Sequence, residues 1–256
     1  MLRRAARRGR AGFVLFVLAC AIGSGCGGGG VFKREYEYEE ELYLSLDGSA
    51  TLNVNASVAS LVALRGAKLN PDPRARIDRN ALRTFFGAPD LPVSVSLSRR
   101  DGRRFVHAGV DVDDLQELSR LAPFAWSKYR FSRRGEVIAF QQTVGPVKPR
   151  PDSALQWTGE EIVAFRMHLP SEIVLHNAPS GEIERGNILQ WEQPLAERLE
   201  GRPIDIRVQL EPTSILVGTL VLFGTTIAAA VATLVGVIWW IRRQGTAEDL
   251  QSSIEH

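Results

Sequence analysis

The chain has 256 residues, with 31 Lys and Arg against 29 Asp and Glu, for a formal net charge of +2. Arg3, Arg4, Arg7, Arg8 and Arg10 supply +5 of that and no acid precedes Cys26, so the rest of the chain carries −3 and the basic balance is no sign of nucleic-acid binding. Cys20 and Cys26 are the only cysteines, which excludes a disulfide framework or a cysteine metal site from everything after them.

The N-terminus reads as an export signal over residues 1–25. A basic stretch, Met1 to Arg10, precedes an apolar run, Ala11 to Ile22, too short to span a bilayer well, and small residues Gly23, Ser24 and Gly25 follow. A small residue before a cysteine at the end of such a run resembles the bacterial lipobox, in which the cysteine thiol is acylated and becomes the new N-terminus. Cys26 is the predicted lipidation site, with Cys20 after Val17-Leu18-Ala19 as the rival. Gly27 to Gly30 then form a flexible tether.

An exported domain follows over residues 31–213. Val31 to Leu46 opens it as a strand: Tyr36, Tyr38, Leu42, Leu44 and Leu46 share one parity, Glu40 is the exception, and Glu35, Glu37, Glu39 and Glu41 share the other. Period-two alternation predicts a half-buried strand with these acids on its solvent face. Asp47-Gly48 turns the chain, and Leu52, Val54 and Ala56 return. Ala59 to Ala67 is compatible with helix or strand. Ile77 to Phe86 reads as a helix, with Asp78 or Asn80 at its start and Gly87 past its end. Val93, Val95 and Leu97, a turn at Asp101-Gly102, and Val106, Ala108, Val110 and Val112 make a second hairpin. Asp113 or Asp114 can cap a short helix carrying Leu115, Leu118 and Leu121. Tyr129 and Phe131, Arg134-Gly135, and Ile138 and Phe140 make a third hairpin. Gly145 to Asp152, with three prolines, reads as a long loop within one domain. Strands follow at Val163 to Leu169, Ile173 to His176, Ile188 to Trp191 and Ile204 to Leu210, with a helical turn at Leu195 to Leu199. The predicted class is α+β, mostly antiparallel sheet with a few short helices.

Ile215 to Ile241 holds no charge and no proline, and Arg242 and Arg243 close it. A helix of this length spans about 40 Å against the roughly 30 Å hydrocarbon core. Trp239 and Trp240 suit the headgroup level and the arginines mark the cytoplasmic side, so residues 214–241 form a predicted transmembrane helix with a cytoplasmic tail over residues 242–256. Gly224, Ala228, Ala232 and Gly236 recur every four residues on one face, where another backbone could approach.

Recognisable catalysis is absent from the motifs. His107, His168 and His176 have no HExxH or GxSxG around them, and Gly27 to Gly30 are not followed by the Lys-Ser/Thr pair of a phosphate loop. No catalytic residue, metal site or cofactor is therefore assigned. The chain resembles the LppM-type bacterial lipoproteins, through Leu46-Asp47-Gly48-Ser49-Ala50, through Leu169-Pro170 followed by Glu172, Asn177, Gly186 and Trp191, and through the order of lipobox, domain and C-terminal membrane helix. That resemblance implies a membrane-held ectodomain with a barrel-like cavity that handles lipid or lipoglycan, and it brings no catalytic residues.

Three functions compete. The first is a non-catalytic binding module for lipid, glycan or a partner protein at the outer face of the cytoplasmic membrane. The second is a membrane-proximal hydrolase, which requires some of the histidines to converge with Asp and Ser. The third is a structural adaptor that self-associates through the Gly224/Ala228/Ala232/Gly236 face.

Overall fold

A computed structural model describes residues 36–147 and 157–252. Cys20, Cys26, the glycine tether and the start of the first predicted strand lie outside these residues, as does most of the proline-rich loop. Strand β1 (Tyr38–Leu44) pairs antiparallel with β2 (Ala50–Ser57) and parallel with β7 (Ile162–His168). With β3 (Val93–Arg100), β4 (Arg103–Val112) and β9 (Ile188–Pro194) these form a six-stranded sheet in the order β3-β4-β2-β1-β7-β9. A second sheet of four antiparallel strands has the order β5-β6-β10-β8, from β5 (Ser127–Arg134), β6 (Val137–Val144), β8 (Ser171–His176) and β10 (Ile204–Ser214). Inward side chains of both sheets join one hydrophobic core. The architecture is the predicted α+β one, built as two open sheets. The described strands close no barrel, so the barrel-like shape implied by the resemblance is not present.

All three predicted hairpins form. At Asp101-Gly102 both residues take positive φ, the geometry that suits a two-residue turn between twisted strands. Gly48 takes φ +92°, and a Cβ there would stand 3.1 Å from the Phe131 ring, so glycine serves both the turn and the close approach of the second sheet.

The segment that read as either helix or strand is helix α1 (Val58–Arg65). The Ser57 side chain accepts from the Ser60 N–H at its start, and left-handed Gly66 ends it by donating to Leu61 and Val62 carbonyls. Its apolar run lacked a clear period because almost the whole helix is buried. Helix α2 (Arg79–Phe86) begins two residues later than predicted, capped by Asp78. Leu115–Arg120 is a 3-10 helix capped by Asp114. Helix α3 (Leu195–Leu199) follows β9 directly.

One reading fails. Glu37 and Glu39 are buried instead of solvated, and Glu41 is only partly exposed. Alternation distinguishes the two faces of a strand but not which of them meets water. β1 is an interior strand; Arg166 from β7 lies across Glu39 and Glu41, and Arg103 from β4 lies across Glu37, just before the strand.

Helix α4 (Ile215–Ser252) continues β10 without a linker. Its first N–H, on Ile215, donates to the Pro170 carbonyl at 3.1 Å, so it is tied to the loop before β8 as well. Residues Ile215–Trp240 are long and apolar enough to cross a bilayer, and none of that window is buried against the domain.

Candidate functional site

The outward acids are paired with arginines. Arg166 reaches Glu184 at 3.2 Å, Glu41 at 3.3 Å and Glu39 at 3.6 Å, and Arg103 reaches Glu37 at 2.7 Å. The Glu37 carboxyl is nevertheless held above its ordinary value of 4.5. Burial is the largest cause and Glu161 adds to it, against Ser57, Arg103 and Arg100. The folded state thus binds this proton more tightly than the unfolded chain, and stability falls as pH rises from 4.5 through the folded value. Glu37→Gln is expected to raise the melting temperature at pH 7, with the gain vanishing as pH drops below 4.5. A variant less stable than its parent at pH 7 would show that the Arg103 pair outweighs the burial.

The histidines do not converge. His107 Nε2 lies 2.7 Å from Ser98 Oγ on the β3–β4 hairpin, and no described carboxylate bonds its other ring nitrogen. His168 stacks on Tyr43, with ring centroids 3.9 Å apart at 10°. Burial holds both imidazoles below their ordinary value of 6.5. They share the outer face of the large sheet but strands β2 and β1 separate them, and His176 belongs to the other sheet. A cleft of about 450 Å³ between the β1–β2 turn and β4 is lined by Asp90, Asp111, Asp113 and Glu117. Among the described residues no His, Cys, Asp and Glu cluster is arranged to hold a metal.

Gly224, Ala228, Ala232 and Gly236 lie along α4, all exposed. A Cβ on Gly224 or Gly236 would meet nothing within 4 Å, so the stripe is open to a neighbouring helix.

The unusual chemistry is inside. Glu40, the exception to the β1 alternation, points into the core and is 2 % exposed. Arg65, in the last turn of α1, meets it at 2.5 Å, with its own side chain also 2 % exposed. Tyr38, two residues before Glu40 on the same face of β1, donates to Glu40 at 2.7 Å and accepts from Arg65 Nη2 at 2.6 Å. The Arg65 guanidinium lies over the Trp126 indole. That indole stands in the short connection between the 3-10 turn Ala122–Phe124 and β5.

A second guanidinium comes from α3. Arg198 is fully buried, and its guanidinium carbon sits 4.6 Å from the centre of the same indole. It donates to the Gly145 carbonyl at 2.8 Å and to the Arg202 carbonyl. Two arginines therefore share one indole, and the Glu40 carboxylate pairs with the first of them. Glu40 Oε2, Arg65 Nη1, Arg198 Nε and Trp126 Nε1 are buried without a hydrogen-bond partner. An unmatched buried polar group costs about 1–3 kcal/mol and a charged one more. Burial, with Arg65 as a like-charged neighbour, pushes the Arg198 pKa down to about 10. Burial likewise raises the Tyr38 and Tyr129 hydroxyls well above their ordinary value.

Sequence reading missed Arg65, Trp126 and Arg198. The available signal was charge on an apolar face. Arg198 falls three residues after buried Leu195, and Arg65 four after buried Leu61.

No family model and no curated protein matches this chain. Among solved structures it is similar to the folded domain of the Mycobacterium tuberculosis LppM protein, determined by NMR, at 16 % identity and a TM-score of 0.39, over 74 % of this chain and 98 % of that one.

Proposed function

We propose that this chain is a membrane-anchored envelope lipoprotein whose domain is a non-catalytic binding module on the outer face of the cytoplasmic membrane. The single observation carrying the binding reading is the buried group of Glu40, Arg65, Trp126 and Arg198, which leaves three donors unmatched around one indole. Buried polar atoms are almost always paired, so a set of orphans gathered at one place fits a missing partner. The scattered histidines and the absence of a motif favour binding over hydrolysis. Anchoring follows from the apolar helix, with Arg242 and Arg243 on the cytoplasmic side and an acyl chain on Cys26 as the second attachment. Membrane lipid, an envelope glycan or an envelope protein is the class of partner within reach. Self-assembly through Gly224, Ala228, Ala232 and Gly236 is the adaptor alternative.

Mass spectrometry of the full chain, purified in detergent from its membrane and incubated with lipid and glycan extracts of the envelope, tests this. The expected result is a covalent acyl mass on Cys26 that survives unfolding, and a second, non-covalent mass that unfolding releases. An unacylated Cys26 would overturn the lipoprotein assignment. A chain that takes up nothing from the extracts would overturn the binding module, and turnover of an ester or glycosidic bond would replace it with the hydrolase.

A further inference from the structure

We infer that the interior group formed by Arg65, Arg198 and Trp126 is a receptor for an oxyanion, a phosphate or carboxylate group, that enters from the end of β10 opposite helix α4. This inference rests on the binding-module reading and gives the chemical class of its ligand.

Arg65 and Arg198 are cations and, among the described residues, Glu40 is the only carboxylate bonded to either, so one positive charge in this group is unmatched. Guanidinium does not shed its proton in proteins, so the imbalance cannot be relieved by titration as it would be for lysine. An isolated charge in a dry interior is costly unless a counter-charge joins it.

Arg65 spends Nη2 on Glu40 and both Nη2 and Nε on Tyr38, leaving Nη1. Arg198 spends both terminal nitrogens on backbone carbonyls, leaving Nε. Trp126 Nε1, on the indole that both guanidiniums face, is the third free donor. Three unmatched N–H donors of two cations and one indole suit an acceptor-only, negatively charged oxygen group. The one unmatched acceptor, Glu40 Oε2, would face the Tyr129 side of the core or a protonated oxygen of the ligand.

Strand register gives the direction of entry. Ser127, next to Trp126, pairs with Val144, which pairs with Ile204 at the start of β10. Tyr38 pairs with Ala56 and Val163 at the matching end of the large sheet. The membrane helix leaves from the opposite end of β10, after Ser214. At about 3.3 Å per residue the two ends of β10 are roughly 30 Å apart. Trp126 is itself only partly buried, so the group lies near the surface at this end.

The experiment follows the melting temperature of the full chain in detergent against inorganic phosphate, with chloride at matched ionic strength as control and short-chain phosphatidic acid as a second probe. A saturable rise of about 5–10 °C is expected at a hundredfold excess over Kd, and none with chloride. Arg198→Met is expected to abolish the rise. Arg198→Gln keeps a donor for the backbone carbonyls and serves if the methionine variant fails to fold. Arg130→Met, on the exposed face of β5, is expected to leave the rise intact. Response to phosphate identifies a free anion as sufficient, and response to phosphatidic acid alone identifies a lipid headgroup. A rise that persists in the Arg198 variants, that chloride reproduces, or that neither probe produces overturns the oxyanion site. If the probes fail while an envelope extract still adds a releasable mass, the binding module stands and only the anionic class falls.

Discussion

Replacing Glu40 with alanine is expected to lower the stability of the domain by about 3–5 kcal/mol, a melting temperature lower by about 6–20 °C for a domain of this size. The size of the effect comes from what is left behind. Among the described residues Arg65 has no other carboxylate within bonding distance, and Tyr38 loses the acceptor for its hydroxyl proton. Two guanidiniums would then face one indole with no counter-charge between them. The pair as a unit is a different matter. Replacing Glu40 and Arg65 together, by leucine and methionine, is expected to recover most of the loss, because a buried ion pair offsets its own desolvation only partly. Thermal melts of the single and double variants in one buffer read both numbers. A Glu40→Ala chain that melts with its parent would mean that water reaches Arg65 and that the interior is not dry.

Phe86→Ala is expected to cost about as much, 3–5 kcal/mol by the usual range for a buried phenylalanine, through a different mechanism. Helix α2 is polar around most of its circumference and docks through two fully buried side chains, Leu82 and Phe86. The Phe86 ring meets Phe85 at 5.1 Å and Phe124 at 6.1 Å, so it joins the helix to the 3-10 turn that leads into Trp126. Its removal leaves a cavity and one anchor. Hydrogen exchange should report faster opening of residues 79–86 than of β1, with the global melt lowered as well. Uniform acceleration across the domain would show that α2 opens only with the whole fold.

The sheets were legible because their strands alternate, and alternation is a local property. Ile204, Ile206, Val208 and Leu210 against Asp205, Arg207 and Gln209 define one strand without knowledge of its neighbours. Turn residues fixed the hairpins for the same reason. What neighbours a strand is not local, and the acids of β1 show the consequence. Their parity was right, yet the face they occupy is covered by arginines that come from positions 103 and 166. The site was less legible still. Glu40 stood out as one acid on an apolar parity, but Arg65 and Arg198 lie 25 and 158 residues from it in sequence, and nothing in a short window joins them. The small-residue stripe on α4 and Cys26 were visible as patterns, since both are read within a few consecutive turns or positions.

The junction between β10 and α4 also determines how the domain meets force. β10 is an interior strand with β6 on one side and β8 on the other, and it passes into the helix without slack. Tension applied between the bilayer and the far end of the domain therefore runs along the strand. The seven paired positions with β6 are loaded in shear and must yield together instead of unzipping one by one. A tether attached to an edge strand such as β5 would peel. Placing the load on a central strand makes the attachment stiff, and a displacement of α4 reaches the core without being absorbed by a linker.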